Sequence, residues 1–201
     1  DRLYRHLIQS TTTLPLTPEE IHQTGLSEVA RITGEMEKVK QEVGFQGTLH
    51  QFFEHLRTDP KYKSKTREAL TQRYYDVGKT VDAKLPTYFS TMPKAKLEIR
   101  PYEPFREKFE AGGSYAQGTP DGSRPGIFYV NLSDMKQVQK VQLPAIAYHE
   151  GAPGHHFQIA RAQEQTDLPL FRRLSYYGAY TEGWGLYAEK LGKEGGFYQD
   201  P

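Results

Sequence analysis

The sequence predicts an α+β fold that is mainly helical with a small β-sheet. Three observations predict it: long stretches with apolar residues at steps of three and four, capping residues ahead of them, and one short run rich in β-branched and aromatic side chains. With 201 residues, 36% of them hydrophobic, the chain can bury a real core and is not a disordered tract. The 26 Lys and Arg nearly balance the 25 Asp and Glu, so no bulk field gathers polyanions and no nucleic-acid partner is expected. There is no cysteine, which excludes disulfides, thiolate metal sites and Cys nucleophiles; any metal must be held by His, Asp or Glu. No apolar run reaches the roughly 18 to 20 residues of a membrane span.

Residues 1–90 read as a helical region. Residues 91–201 read as a small sheet with the helices of a candidate metal site, the two forming one continuous domain. The opening, Asp1 to Ile8, is amphipathic without a preceding cap, and the chain stops just after a helical pattern; both predict a fragment of a longer helical protein. Thr17, Pro18 and Glu20 spell a capping box with proline at the first helical position. A long helix follows, with Val29, Ile32, Met36, Val39 and Val43 on one stripe, expected to be packed.

Thr48 to Leu56 reads as a shorter helix ended by Asp59-Pro60. Ser64 to about Leu85 is another long helix with Leu70, Tyr74, Val77, Val81 and Leu85 in register; the basic cluster Lys61, Lys63, Lys65 and Arg67 near its start reads as a solvated face. Leu97 to Arg100 alternates briefly, and Gly126 to Leu132 is the best strand of the chain. Between them Ala111 to Pro125, rich in Gly and Pro, reads as a loop. Helix signals return at 144–149, at 155–166 and near 181–191.

Three of the seven histidines fall within eight residues, in His149-Glu150-Gly151-Ala152-Pro153-Gly154-His155-His156. A His followed at once by Glu, with a second His downstream, is an arrangement in which two imidazoles hold zinc and the carboxylate activates a water. On a regular helix that needs histidines four apart, about 40° of rotation and about 6 Å of rise. Here a continuous helix would put His155 about 120° off the face of His149, and His156 back on the face but about 10 Å along. Neither meets His149 on an unbroken helix. Pro153 and Gly154 are suited to break it and return one of the two histidines to the first.

A third ligand is expected from Tyr180 to Glu189, where Glu182 and Glu189 stand seven apart on one helical face. Glu182 leads, at the expected helix start and beside Gly183, which would let another backbone approach; Glu189 could orient a ligand histidine from behind. Tyr176, Tyr177, Tyr180 and Tyr187 crowd this motif. One of them, Tyr180 among the candidates, could donate to an oxyanion, although aromatic packing accounts for such a cluster too. Arg172 and Arg173 could hold a substrate carboxylate, but read as a solvated helix turn.

These residues resemble a bacterial gluzincin-like family known as the domain of unknown function eight-eight-five, whose members are often described as lipoproteins. The likeness rests on His149 to Gln158 and on Glu182 to Glu189, with Thr17 to His22 and Pro125 to Asn131 adding to it. It implies a zincin-like fold and a zinc metallopeptidase acting on peptide or protein. In that reading His149, His155 and Glu182 are the Zn2+ ligands and Glu150 the general base. His156 ranks below His155 because the likeness centres on the Pro-Gly-His triplet. The resemblance also implies a periplasmic or otherwise extracytoplasmic place.

If the strand from Gly126 is a sheet edge, its backbone could pair with an extended peptide, making Tyr129 and Asn131 candidate substrate contacts; a core strand is the other reading. His6, His22, His50 and His55 have no partner at ligand spacing and read as structural. Gly112 to Ala116 misses the nucleophile-elbow pattern by its last glycine, which argues against a serine hydrolase. The alternative to hydrolysis is a helical binding module that keeps the shape without turnover.

Overall fold

The computed structural model describes residues 1–135, 138 and 140–198. Helix α1 (Arg2–Thr12) buries Ile8, packs against α8 (Gly178–Glu194) and ends at Thr13 in the left-handed region. Helix α2 (Pro18–Glu42) starts at the expected capping box: Thr17 Oγ1 accepts from the Glu20 N–H, and Glu20 Oε2 accepts from the Thr17 N–H at 2.7 Å. Its apolar stripe is not packed. No residue of α2 is buried and Val29 is 64% exposed, so local forces support the helix, namely the cap and the Arg31 pairs with Glu28 and Glu35. Helix α3 (Leu49–Thr58) repeats the box with Thr48 and Gln51.

Helix α4 (Arg67–Tyr88), capped by Thr66, buries Leu70, Tyr74, Val81 and Leu85 on the stripe the sequence predicts. It runs through Pro86 to Tyr88, beyond the expected end near Leu85. Arg67 does not belong to a solvated face. Its guanidinium forks onto the buried Glu107 carboxylate at 2.7 and 3.2 Å and donates to the Leu132 carbonyl at 2.7 Å. This ties the start of α4 to the loops around the sheet.

Among the described residues the sheet has three strands in the order β1 (Leu97–Pro101), β3 (Gly126–Val130), β2 (Gly113–Ala116), with β1 parallel and β2 antiparallel to β3. β3 is therefore the middle strand, paired on both sides, and the edge reading of it does not hold. β2 lies inside the expected loop and is one of the two edges. Along β3 the Phe128 and Val130 side chains point into the core, where Phe128 meets Tyr74 edge-on at 5.5 Å.

Helix α5 (Leu143–Glu150) rests between α4 and α8 (Gly178–Glu194), with Leu143, Ala147 and Tyr148 buried. Helix α6 (His155–Gln163) adds Phe157 to the same core, and a short α7 (Leu170–Leu174) leads into α8. The core runs continuously from α4 through β1 and β3 to α5, α6 and Phe197. Fully burying a side chain such as Phe128 contributes about 1.5–3 kcal/mol, so this layer holds α5 rigidly beneath the candidate site. No helix among the described residues is long and apolar enough to cross a membrane.

Candidate metal centre

The helix signal around His149 breaks where Pro153 and Gly154 stand. α5 ends at Glu150, a turn covers 151–154, and α6 begins at His155. The turn is fastened at both ends: His156 N–H donates to the Gly151 carbonyl at 3.1 Å, and the Trp184 indole N–H of α8 donates to the Pro153 carbonyl at 2.7 Å. Gly154 is required here, because a Cβ would run into the carbonyl oxygens of Tyr148 and His149.

The break brings two imidazoles together. The rings of His149 and His155 lie 4.6 Å apart, edge to face. Nε2 of His149 is 3.3 Å from Glu182 Oε2, and Nε2 of His155 is 3.5 Å from the same oxygen. Ligand atoms of His149, Glu150 and His155 all lie within 4.8 Å of one another. Both carboxylates thus border the pair, Glu182 aimed at the two Nε2 atoms and Glu150 from within the helix end. Glu189 Oε1 meets Nδ1 of His149 at 2.8 Å from the opposite side, and the Tyr176 hydroxyl donates to Glu182 Oε1 at 2.6 Å.

Helix α8 starts at Gly178, so Glu182 sits in its second turn and not at its start. The close approach expected at Gly183 occurs at Gly185 instead. Nothing stands near the Cβ position of Gly183, while a Cβ on Gly185 would be 2.7 Å from Cε1 and Nε2 of His149. The imidazole therefore lies directly on the α8 backbone, with Glu182 and Glu189 on either side. Gly185 is the residue of this site that spacing did not single out; the repeat of Gly on either side of Trp184 was its one signal.

The electrostatics separate the groups. The Glu189 hydrogen bond raises the pKa of His149 against the opposing effect of burial. Burial, with the nearby positive His149, lowers that of His155. Burial pushes the Glu150 carboxyl above its ordinary range, while the Tyr176 hydroxyl holds Glu182 below it. One buried carboxyl drawn toward neutrality thus stands beside one more exposed carboxylate kept ionised.

The two imidazole-to-carboxylate separations suit a tetrahedral cation. For metal–ligand bonds of about 2.0 to 2.1 Å, tetrahedral donors stand about 3.3 to 3.4 Å apart; the two imidazole-to-carboxylate separations are 3.3 and 3.5 Å. Both exceed the usual N–H···O range of about 2.7–3.2 Å.

The remaining candidates lie elsewhere. His156 is buried beneath β2, with Nδ1 3.1 Å from the Tyr115 hydroxyl, and burial depresses its pKa to about 4. Tyr180 is exposed on α8. Tyr129 stacks on Tyr102 at 5.1 Å, with the Arg106 guanidinium against both rings. The Asn131 amide donates to the carbonyls of Glu107, Glu110 and Ala111 and so holds the loop before β2.

Among the described residues no strand pairs with the outer edge of β2, which borders the site. Asn131 N–H donates to the Gly112 carbonyl at 3.0 Å, so in the observed register the ladder bonds fall on Ser114 and Ala116. The N–H and C=O of Gly113 and Tyr115 therefore face away from β3. The Tyr115 N–H is turned toward the Glu150 carboxylate.

A family model described as "Bacterial protein of unknown function (DUF885)" matches residues 1–201. No curated protein matches the sequence. Among solved structures, a crystal structure of a protein from Colwellia psychrerythraea, named "putative lipoprotein", is 36% identical, with a TM-score of 0.92 over 98% of this chain. The match covers 35% of that protein, so the chain spans about a third of its length.

Proposed function

Because this chain belongs to the DUF885 family of bacterial proteins of unknown function, its own geometry must carry the reading, and we propose that it is the metal-binding part of an extracytoplasmic, zincin-like zinc metallopeptidase. The observation that carries this is the convergence of two imidazole Nε2 atoms on Glu182 Oε2, with Glu150 in the same cluster. His149, His155 and Glu182 would hold the ion. When bound, zinc supplies a Lewis acid that polarises a carbonyl and makes water acidic enough to deprotonate near neutral pH.

The chain's own groups account for the rest. Glu150 takes a proton at its carboxylate and returns it to the leaving amine, and its burial favours that exchange by raising its pKa. Glu189 holds Nδ1 of His149, which leaves Nε2 for the ion. Tyr176 fixes the rotamer of Glu182. The outer edge of β2 can take an extended peptide by backbone pairing at Gly113 and at the Tyr115 carbonyl, while the Tyr115 N–H holds Glu150. The extracytoplasmic place is supported by the lipoprotein name of the similar structure.

Elemental analysis after dialysis against zinc buffer, with peptide-library digestion alongside, tests the reading. We expect about one zinc per chain, loss of zinc in His149→Ala, and zinc retained with cleavage abolished in Glu150→Gln. Wild-type protein that emerges without zinc refutes the metal centre. Zinc bound in wild type with no peptide cleaved assigns a binding module instead.

A further inference from the structure

A cavity of about 830 Å³ opens between the end of α1, α6, α7 and the start of α8. It adjoins the histidine cluster: Tyr176 in its wall donates to Glu182, and Gln158 lies one turn along α6 from His155. Its charged wall residues are Arg172 and Arg173, and no carboxylate lines it among the described residues. Neither arginine has an ion-pair partner among them.

Buried polar atoms rarely lack a partner. Four such side-chain atoms occur among the described residues, and two belong to this wall: Arg173 Nε, a donor, and Gln158 Oε1, an acceptor. Arg173 is nevertheless anchored, since its Nη1 donates to the Gln163 carbonyl at 3.1 Å. Large apolar side chains, Phe171 and Leu174 among them, stand exposed at the rim.

A free donor on a fixed guanidinium, a second guanidinium beside it, a free acceptor and an apolar rim match one chemical unit, the last residue of a peptide. We propose that the cavity binds a peptide C-terminus. The carboxylate pairs with Arg173 and Arg172, the N–H of the terminal residue donates to Gln158 Oε1, and its apolar side chain lies against Phe171 and Leu174. Arg173 and Gln158 are specificity residues in this account. The consequence for cleavage, removal of residues from the carboxyl end, rests on the hydrolase reading; the binding does not.

Calorimetric titration of the full chain, stripped of metal with chelator, tests this with three probes: N-acetyl-Phe-Phe as free acid, the same dipeptide as its C-terminal amide, and N-acetyl-Glu-Phe amide. We expect the free acid to bind at least tenfold tighter than either amide. That preference should fall to less than threefold in Arg173→Gln, fall in part in Arg172→Gln, and return in part in Arg173→Lys. Because Arg172 is exposed, its variant keeps the test valid if Arg173→Gln does not fold. Equal affinity for acid and amide overturns the inference, as does an acid preference untouched by either arginine substitution. Tighter binding of the glutamyl amide overturns the assignment to the chain terminus. Acid preference in a protein that never takes up zinc leaves this site standing while the metal centre fails.

Discussion

Nδ1 of His149 meets Glu189 Oε1 at 2.8 Å while its Nε2 faces His155 and Glu182, so one imidazole bridges two carboxylates of the same helix seven residues apart. The carboxylate at Nδ1 selects the tautomer whose lone pair is on Nε2. Glu189→Gln, which can present its amide nitrogen to Nδ1, removes that selection and lowers the basicity of the ring. We expect zinc affinity to fall about 10–100-fold with the helical content unchanged. Competition titration against a chromophoric chelator, read beside circular dichroism, measures it; unaltered affinity means that Glu189 does not act through His149.

Two glycines of α8 separate space from propensity. A Cβ at Gly185 collides with the His149 ring, which Glu189 holds in place, whereas nothing lies near the Cβ position of Gly183. Gly183→Ala should raise stability by about 0.5–1 kcal/mol, the helix-propensity gain over glycine. Gly185→Ala should lower zinc affinity at least tenfold and lower the melting temperature. Thermal melts and metal titration of the two variants check this, and a Gly185→Ala protein with wild-type affinity would place the imidazole elsewhere.

Acid should act through His156. Burial depresses its folded pKa to about 4 from an ordinary 6.5, with the backbone of Ala95 and the charge of Glu164 opposing. The folded state then binds this proton less readily than the unfolded chain. Its contribution is fully present above about 6.5 and is lost as pH falls toward 4, a change of order 3 kcal/mol. His156→Gln cannot titrate and keeps a polar partner for the Tyr115 hydroxyl. Its melting temperature should drop less than that of wild type between pH 7 and pH 4.5; parallel curves would rule out His156 as the source.

What was legible in the sequence was what is local. The capping box at Thr17 needs only residues three apart, and it stands in the structure as spelled. The stripe of α4 and the break at Pro153-Gly154 are likewise properties of single segments. β2 was not legible: Gly113 to Ala116 has no strand composition, and its strand character comes from pairing with β3. Strand order was hidden for the same reason, since whether Gly126 to Val130 lies at an edge depends on partners elsewhere in the chain. The stripe of α2 shows the converse, an apolar pattern that implies a neighbour without supplying one. Within the candidate site, the residue types and the need for a break could be read from spacing. The seating of His149 on Gly185 could not, because it arises where α8 crosses the end of α5, nor could the hold of Tyr176 on Glu182, which depends on how the chain turns into α8.

The indole of Trp184 clasps the Pro153 carbonyl at the seam between that break and α8, and the chain has no other tryptophan. Its emission under selective excitation therefore reports on this seam alone. A backbone rearrangement that draws the two histidines together or prises them apart passes through this turn, and the molecule carries its own optical gauge of it.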